Sequence, residues 1–239
     1  MKNEIISLLI DTLNEWDILI TDYQINQFLK YYDLLIEWNE KINLTAITDF
    51  KEVIIKHFID SLSIVKICDM NNIDSLIDIG TGAGFPGIPL KIVFPDIKVV
   101  LLDSLNKRVD FLNLVINELS LDNIEAYHGR AEELAHNNDF REKFDLCVSR
   151  AVANISTLSE LCIPFVNLNG CFISYKSNKV DEELSNSIYT FDILNSYVDK
   201  VFKFNFFDNE RSFVVIKKSD IVSDKYPRRA GIPAKKPLN

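Results

Sequence analysis

Short apolar runs alternate with amphipathic segments through the middle of the chain. The runs are rich in branched and aromatic residues and are predicted to be buried strands, at 76–79, 99–102, 124–127, 144–148 and 170–175. Between several of them, apolar residues recur at helical spacing, at 88–94, 106–119 and 154–166. Such an alternation predicts right-handed crossovers and a parallel sheet.

The pattern changes at both ends of the chain. Two segments with helical spacing precede the first strand, and the second begins at Thr21 with Gln24 placed to complete a capping box. We therefore predict a helical N-terminal extension over 1–70, packed on a core over 71–224. The core ends in two β-rich runs, 201–207 and 212–216, whose short polar link predicts an antiparallel hairpin.

The first predicted strand ends in a glycine-rich turn within SLIDIGTGAGFPG. The glycines stand at alternate positions, so that the backbone can take positive φ and a ligand can lie against its amides, at Gly80, Gly82 and Gly84. A dinucleotide site has G-x-G-x-x-G, and Phe85 stands where the third glycine belongs. Asp103 ends the next strand, 23 residues after Gly80, where a carboxylate binds a ribose diol. The turn therefore favours an adenosine-containing ligand without a pyrophosphate, such as S-adenosylmethionine.

This turn and the terminal hairpin together predict the fold class. A mostly parallel, seven-stranded, Rossmann-like α/β sheet that ends in an antiparallel hairpin is typical of class I S-adenosylmethionine-dependent methyltransferases. A nicotinamide dehydrogenase is the weakest alternative, because neither the glycine spacing nor the hairpin suits it.

Further candidate site residues follow the later strands. Ala131 and Glu132 come directly after the third strand and are placed to bracket the adenine, while Phe85 is placed to pack against the donor. Arg150 ends the fourth strand, and such a cation needs a partner, which is the cofactor carboxylate, a substrate phosphate or a nearby acid. His57 is interpreted as a hydrogen-bonded structural residue and not as a base.

The absence of two motifs limits which atoms of a substrate can accept the methyl group. The fourth strand is followed by SRAVA and not by the Asn/Asp-Pro-Pro-aromatic run that accompanies transfer to an exocyclic amine. The chain has no Pro-Cys loop to supply a nucleophile for a pyrimidine carbon. An acceptor with its own lone pair remains, such as guanine N7, and no catalytic general base is expected. The four cysteines form no C-x-x-C pair, so neither a metal site nor a disulfide framework is predicted.

Charge is distributed unevenly along the chain. The 239 residues carry a net charge of −9, yet 225–239 contain no acidic residue and five basic ones, Lys225, Arg228, Arg229, Lys235 and Lys236. Because of its charge and prolines, we expect this basic tail to stay extended, unpacked and in contact with RNA phosphates. The alternatives are a solvated terminus, or a tail that folds back from Tyr226 onward onto the mouth of the active site. No apolar run approaches the ~20 residues of a membrane span, and we expect a cytoplasmic protein without a membrane partner.

Several stretches together resemble the bacterial RsmG (GidB) family, the guanine-N7 methyltransferases of small-subunit (16S) ribosomal RNA. They are WNEKINLTAI, HFIDSL, DIGTGAGFPGIPLKI, LLDSLNKR, GRAEEL, SRAVA and KYPRRAGIPAKKPL. The resemblance implies S-adenosylmethionine as donor and, as target, one guanine near the decoding region, in 16S rRNA or the 30S particle. It also implies that the donor is bound by Gly80, Phe85, Ala131, Glu132 and Arg150, to which the turn and the ribose rule add Gly82 and Asp103.

Two further functions remain open from the sequence. One is a small-molecule methyltransferase on the same fold, against which the basic tail argues. The other is a non-catalytic RNA-binding assembly factor, against which the intact donor motif argues.

Overall fold

The computed structural model describes residues 2–150, 153–177, 180–207 and 209–238. Its seven strands are β1 (Ser75–Ile79), β2 (Lys98–Asp103), β3 (Ile124–His128), β4 (Phe144–Ser149), β5 (Val166–Lys176), β6 (Ser196–Phe206) and β7 (Asn209–Lys218). They form one sheet in the order β3-β2-β1-β4-β5-β7-β6. Strands β1 to β5 pair in parallel, whereas β7 pairs antiparallel with β5 and β6. The predicted fold class is confirmed.

Three strands are clearly longer than the hydrophobic pattern predicts, and one of them, β7, spans Asn209–Lys218 where 212–216 was predicted. β5 begins at Val166 and not at residue 170, because Asn167 is extended and donates to Asp145 Oδ1 at 2.7 Å, beside a register shift in the β4–β5 pairing. β6 begins at Ser196 and not at residue 201. Its first half lies at the edge of the sheet and alternates half-buried with exposed residues, so it lacks a continuous apolar run.

Helices cover both faces of the sheet. Those that precede β2 are α1 (Lys2–Asn14), α2 (Asp22–Asn39), α3 (Phe50–Val53), α4 (Asp60–Leu62) and α5 (Gly87–Val93). The others are α6 (Asn106–Glu118), α7 (Ala131–Leu134), α8 (Ile155–Cys162), α9 (Val180–Ser185), α10 (Ile188–Ile193) and α11 (Ile232–Lys235). The N-terminal helices share one hydrophobic cluster with α5 and α6, while α8 and the residues around α10 fill a second cluster. None of the helices in the described ranges is long and apolar enough to cross a membrane.

The predicted start of α2 is confirmed by its hydrogen bonds. Gln24 N donates to Thr21 Oγ1 at 3.2 Å, and Thr21 N donates to Gln24 Oε1 at 2.8 Å, which is the capping box. The Gln24 amide also donates to the Ile92 carbonyl oxygen at the end of α5, at 2.7 Å. The cap therefore fixes the N-terminal helices against the helix that follows the glycine turn.

The basic tail is packed, and the expectation that it stays unpacked is wrong. Its buried residues include Pro233 and Leu238, and Thr157 and Ser156 of α8 donate hydrogen bonds to their carbonyl oxygens at 3.2 and 2.7 Å. The Arg228 guanidinium binds both carboxylate oxygens of the fully buried Glu160, at 2.9 and 2.7 Å. Counting charges within 225–239 missed this carboxylate, because it comes from α8.

Candidate functional site

The glycine turn has the conformation that its sequence requires. Gly80, Gly82 and Gly84 have φ of 71°, 63° and 99°, a region that side chains with a Cβ rarely adopt. A Cβ on Gly84 would lie 2.5 Å from Ile88 Cδ1 and 2.7 Å from the Tyr31 hydroxyl, so this glycine allows close packing. Apart from its two chain neighbours, no described residue has an atom within 4 Å of a Cβ placed on Gly82, so this side of the turn is open to a ligand.

The N-terminal helices hold the turn from outside the sheet. The buried Tyr31 hydroxyl of α2 donates to the Ala83 carbonyl oxygen, and its ring lies 5.5 Å from that of Phe85. Burial raises the pKa of Tyr31 well above its usual range, so the hydroxyl stays a donor. The extension therefore contributes directly to the shape of the candidate donor site.

Asp78, the fourth residue of β1, organises the turn from inside. Its Oδ2 accepts from Thr81 Oγ1 at 2.7 Å and from Gly87 N at 2.9 Å, while its buried Oδ1 has no partner among the described residues. Burial raises the pKa of this carboxyl to about 6. Our candidate residues did not include Asp78, although an acid inside an otherwise apolar strand before the glycines was a usable signal.

Asp103 is brought to the turn, as the sequence predicts. Its Oδ2 accepts from Gly82 N and its Oδ1 from Leu105 N, both at 2.9 Å, and Arg108 Nη1 lies 3.3 Å from Oδ2. The carboxylate is therefore held beside the open face of Gly82, at the end of β2. Its contact with a ribose stays a prediction.

Ala131 and Glu132 lie at the start of α7, three and four residues after β3. Ala131 is buried, while Glu132 Oε1 accepts a hydrogen bond from Gly231 N of the tail at 2.8 Å. A tail folded back onto the mouth of the site was an alternative left open from the sequence, but this bond between Gly231 and Glu132 was not predicted. The adenine contact itself stays a prediction.

Arg150 has the nearby acid that was one of its three candidate partners. Its Nη1 lies 2.9 Å from Asp60 Oδ2, and its guanidinium carbon lies 5.1 Å from the centre of the Phe85 ring. Because a guanidinium carries five N–H donors, Arg150 can bind Asp60 and a further group at the same time. Its contact with the cofactor stays a prediction. Arg150 and Phe85 are thus brought together at the carboxyl ends of β1 and β4, next to the turn.

His57 lies beside Phe85 in the candidate donor site and is uncharged at neutral pH. Its ring stacks on Phe85 with centroids 4.5 Å apart, and Nε2 lies 2.8 Å from Thr45 Oγ1. Burial, together with the charge of Arg150, lowers the pKa of His57 to about 3. It belongs to Ile54–Ile59, a segment of wider π-helical turns between α3 and α4, a local form found often at functional sites.

The five cations of the tail are not equivalent. Arg228 is bound to Glu160, whereas the others are exposed, namely Lys225, Arg229, Lys235 and Lys236. Their contact with RNA stays a prediction. Among the residues that the structure describes, no group of three or more His, Cys, Asp or Glu side chains is arranged to hold a metal ion.

Comparison with known proteins decides between the functions that the sequence left open. The model of the GidB family, described as rRNA small subunit methyltransferase G, matches residues 24–213. The chain belongs to this family. The predicted class of enzyme, an S-adenosylmethionine-dependent methyltransferase of small-subunit ribosomal RNA, is thereby confirmed.

Relatives match over nearly the whole chain. A protein of Lachnoclostridium phytofermentans named ribosomal RNA small subunit methyltransferase G is 54% identical over 92% of this chain and 91% of its own length. A protein of the same name from Acetivibrio thermocellus is 51% identical over 97% of this chain and 96% of its own length. The similarity therefore includes both the N-terminal helices and the tail.

Solved structures that are distant in sequence share the fold. An O-methyltransferase of Bacillus cereus, in complex with SAH, superposes with a TM-score of 0.55 at 14% identity, covering 78% of this chain and 90% of that one. A putative O-methyltransferase of Klebsiella pneumoniae gives a TM-score of 0.53 at 11% identity, covering 80% of this chain and 90% of that one. At such identities the likeness supports the methyltransferase fold alone.

Proposed function

We propose that this chain transfers the methyl group of S-adenosylmethionine to N7 of one guanine in 16S rRNA, near the decoding region. The acceptor is the RNA itself or the 30S particle that contains it, and the reaction takes place in the cytoplasm, where these particles are assembled. The observation that carries the proposal is the glycine turn: an open face at Gly82 beside the carboxylate of Asp103, in a chain of this family.

The residues around the turn fit the donor. Asp103 is placed for the ribose hydroxyls, and the unpartnered Oδ1 of Asp78 is a buried acceptor for a donor group of the cofactor. Ala131 and Glu132 border the adenine, with Phe85 and Arg150 at the other end of the site. When bound, the cofactor supplies an electrophilic methyl group on its sulfonium.

The acceptor chemistry fits a site without a charged base. Guanine N7 has a free lone pair at neutral pH, so no proton has to be removed before it attacks the methyl carbon. His57 is neutral and packed on Phe85, which suits shaping the site more than proton transfer. Catalysis then rests on alignment of donor and acceptor, which contributes up to ~7–11 kcal/mol in favourable cases.

Transfer of a radiolabelled methyl group tests the proposal. Ribosomal RNA and 30S particles from a strain lacking this protein are incubated with the enzyme and labelled donor, and the labelled base is mapped. We expect label in one guanine, as 7-methylguanine, and little label in RNA from the parent strain, where the position is already modified. Label in another base, or in small molecules but not in RNA, would overturn the proposal.

A further inference from the structure

A charged cleft of about 440 Å³ opens beside the candidate donor site. His57 and Arg150, which contact Phe85, belong to its wall. Its charged residues come from the N-terminal helices, the end of β4, β5, α9 and β7, and they are Lys56, Asp60, Arg150, Lys176, Glu183 and Arg211. Among the described residues that line the cleft, four are basic and two are acidic, in a chain whose net charge is −9. The cleft is therefore a local exception to the acidic character of the protein.

Asp60 joins two arginines, of which Arg150 directly follows β4 and Arg211 lies on β7. Its Oδ2 lies 2.9 Å from Arg150 Nη1, and its Oδ1 lies 2.8 Å from Arg211 Nε. Asp60 is 3% exposed, so both guanidinium groups are held by a buried, fixed carboxylate. One carboxylate neutralises only one of the two cations, which leaves an excess positive charge on the cleft wall.

Arg211 is the cleft cation with the most hydrogen-bonding capacity left. Among the described residues, its Nε binds Asp60 and its Nη1 makes a long contact of 3.4 Å to the Glu210 carbonyl oxygen, while its side chain is 27% exposed. The two lysines are already paired, Lys56 with Glu52 and Lys176 with Glu183. Arg150 faces the Phe85 ring, on the donor side of the cleft. Arg211 therefore lines the cleft with terminal N–H donors of a rigid fork still available for a further anion.

We propose that Arg211 binds a backbone phosphate of the RNA strand that carries the target guanine, and that Asp60 fixes its guanidinium for this contact. The inference rests on the proposed function, since it takes the cleft as the entrance for the acceptor nucleotide. A phosphate suits the site because a planar guanidinium binds it through paired hydrogen bonds. Arg211 is not expected to bind N7 of the target guanine, because that atom has to stay free to accept the methyl group.

The variant Arg211→Gln tests the contact, with Arg211→Lys as a milder change that keeps the charge but loses the fork. Methyl transfer to ribosomal RNA from cells lacking this protein gives KM and kcat, and calorimetry gives the Kd for S-adenosylhomocysteine. We expect Arg211→Gln to raise the KM for RNA by about tenfold or more, as for loss of a hydrogen bond to a charged group. The log–log salt dependence of RNA binding should flatten by about 0.7, as for one phosphate contact to a single strand.

Lys217→Gln is the matched control. Lys217 also lies on β7 and pairs with a carboxylate, Asp199 at 3.3 Å, but stands near the opposite end of the strand, beside Cys171 of β5. The control removes the same charge and should leave KM and salt slope unchanged. Donor affinity within twofold of wild type separates a phosphate from the cofactor carboxylate as the anion at Arg211.

Each possible result of these measurements either supports or overturns the inference. An unchanged KM in Arg211→Gln, an equal change in Lys217→Gln, or a loss of donor affinity as large as the rise in KM would overturn the inference. If Arg211→Gln does not fold, Arg211→Lys decides alone, and a wild-type KM in that variant rejects the contact. Absence of transfer by the wild-type enzyme would instead overturn the proposed function.

Discussion

Replacing Arg228 by alanine should destabilise the protein through the carboxylate that it leaves behind. Glu160 has a side chain that is 0% exposed, and three of its hydrogen bonds come from Arg228: from the backbone N at 2.8 Å, from Nε at 2.9 Å and from Nη2 at 2.7 Å. Only the first remains after the substitution. An isolated buried charge is costly to keep, because the protein interior solvates it poorly.

The magnitude follows from this geometry. Breaking a buried ion pair by removing one partner costs about 3–5 kcal/mol. The lower end, about 3 kcal/mol, applies here, since the Arg228 side chain is 27% exposed and its backbone N–H stays bonded to Glu160. Urea unfolding at pH 7 measures the loss.

Two controls separate the ion pair from a general effect of charge. Arg229→Ala removes the neighbouring exposed cation and should change the free energy of unfolding by no more than about 0.5 kcal/mol. In the double variant Glu160→Gln/Arg228→Ala, the loss should be smaller than the sum of the single losses, because no charge is left buried. A loss below about 0.5 kcal/mol for Arg228→Ala, or additive losses, would refute the reasoning.

Three further results are expected. Asp103→Ala should weaken binding of S-adenosylhomocysteine by about 1–3 kcal/mol in calorimetry, and an analogue without ribose hydroxyls should not distinguish the variant from wild type. Truncation after Lys225 should lower donor affinity, because Gly231 N no longer binds Glu132; unchanged calorimetry would leave the tail without a role at the donor site. Asp78→Asn should gain stability relative to wild type between pH 4 and 7, since a folded-state pKa raised from 3.8 to about 6 makes ionisation costly as pH rises through this window; a constant difference in urea unfolding would contradict it.

The predictions of strands and turns were confirmed where the local residue types restrict the backbone to few conformations. Three alternate glycines after an apolar run permit a turn with positive φ, and Asp103 at the end of the next strand then has to lie at the same edge of the sheet. Local capping chemistry was equally readable, because Thr21 and Gln24 are only three residues apart. These features depend on neighbours in sequence or on the parallel arrangement itself.

The contacts that were missed join residues far apart in the chain. Asp60 binds Arg211 across 151 positions, and Arg228 binds Glu160 across 68. A single sequence shows each of these charges but not its partner, so the tail was interpreted as unpaired and extended. The first halves of β5 and β6 were missed for a related reason, since their polar residues are accommodated by sheet pairing and not by a hydrophobic pattern.

Calorimetric binding of S-adenosylhomocysteine to Gly82→Val tests most directly that the glycine turn is the donor site. Beyond its chain neighbours, a Cβ at Gly82 meets no atom of the described residues within 4 Å, so a valine there obstructs a ligand more than it obstructs the protein. The matched control is Asp17→Val. Asp17 lies in an exposed turn after α1 and has φ of 58°, close to the 63° of Gly82, so the control places the same β-branched residue in the same backbone conformation. We predict that Gly82→Val folds but loses donor binding and methyl transfer to RNA, while Asp17→Val keeps both. Donor affinity equal to wild type in a folded Gly82→Val variant would contradict the account.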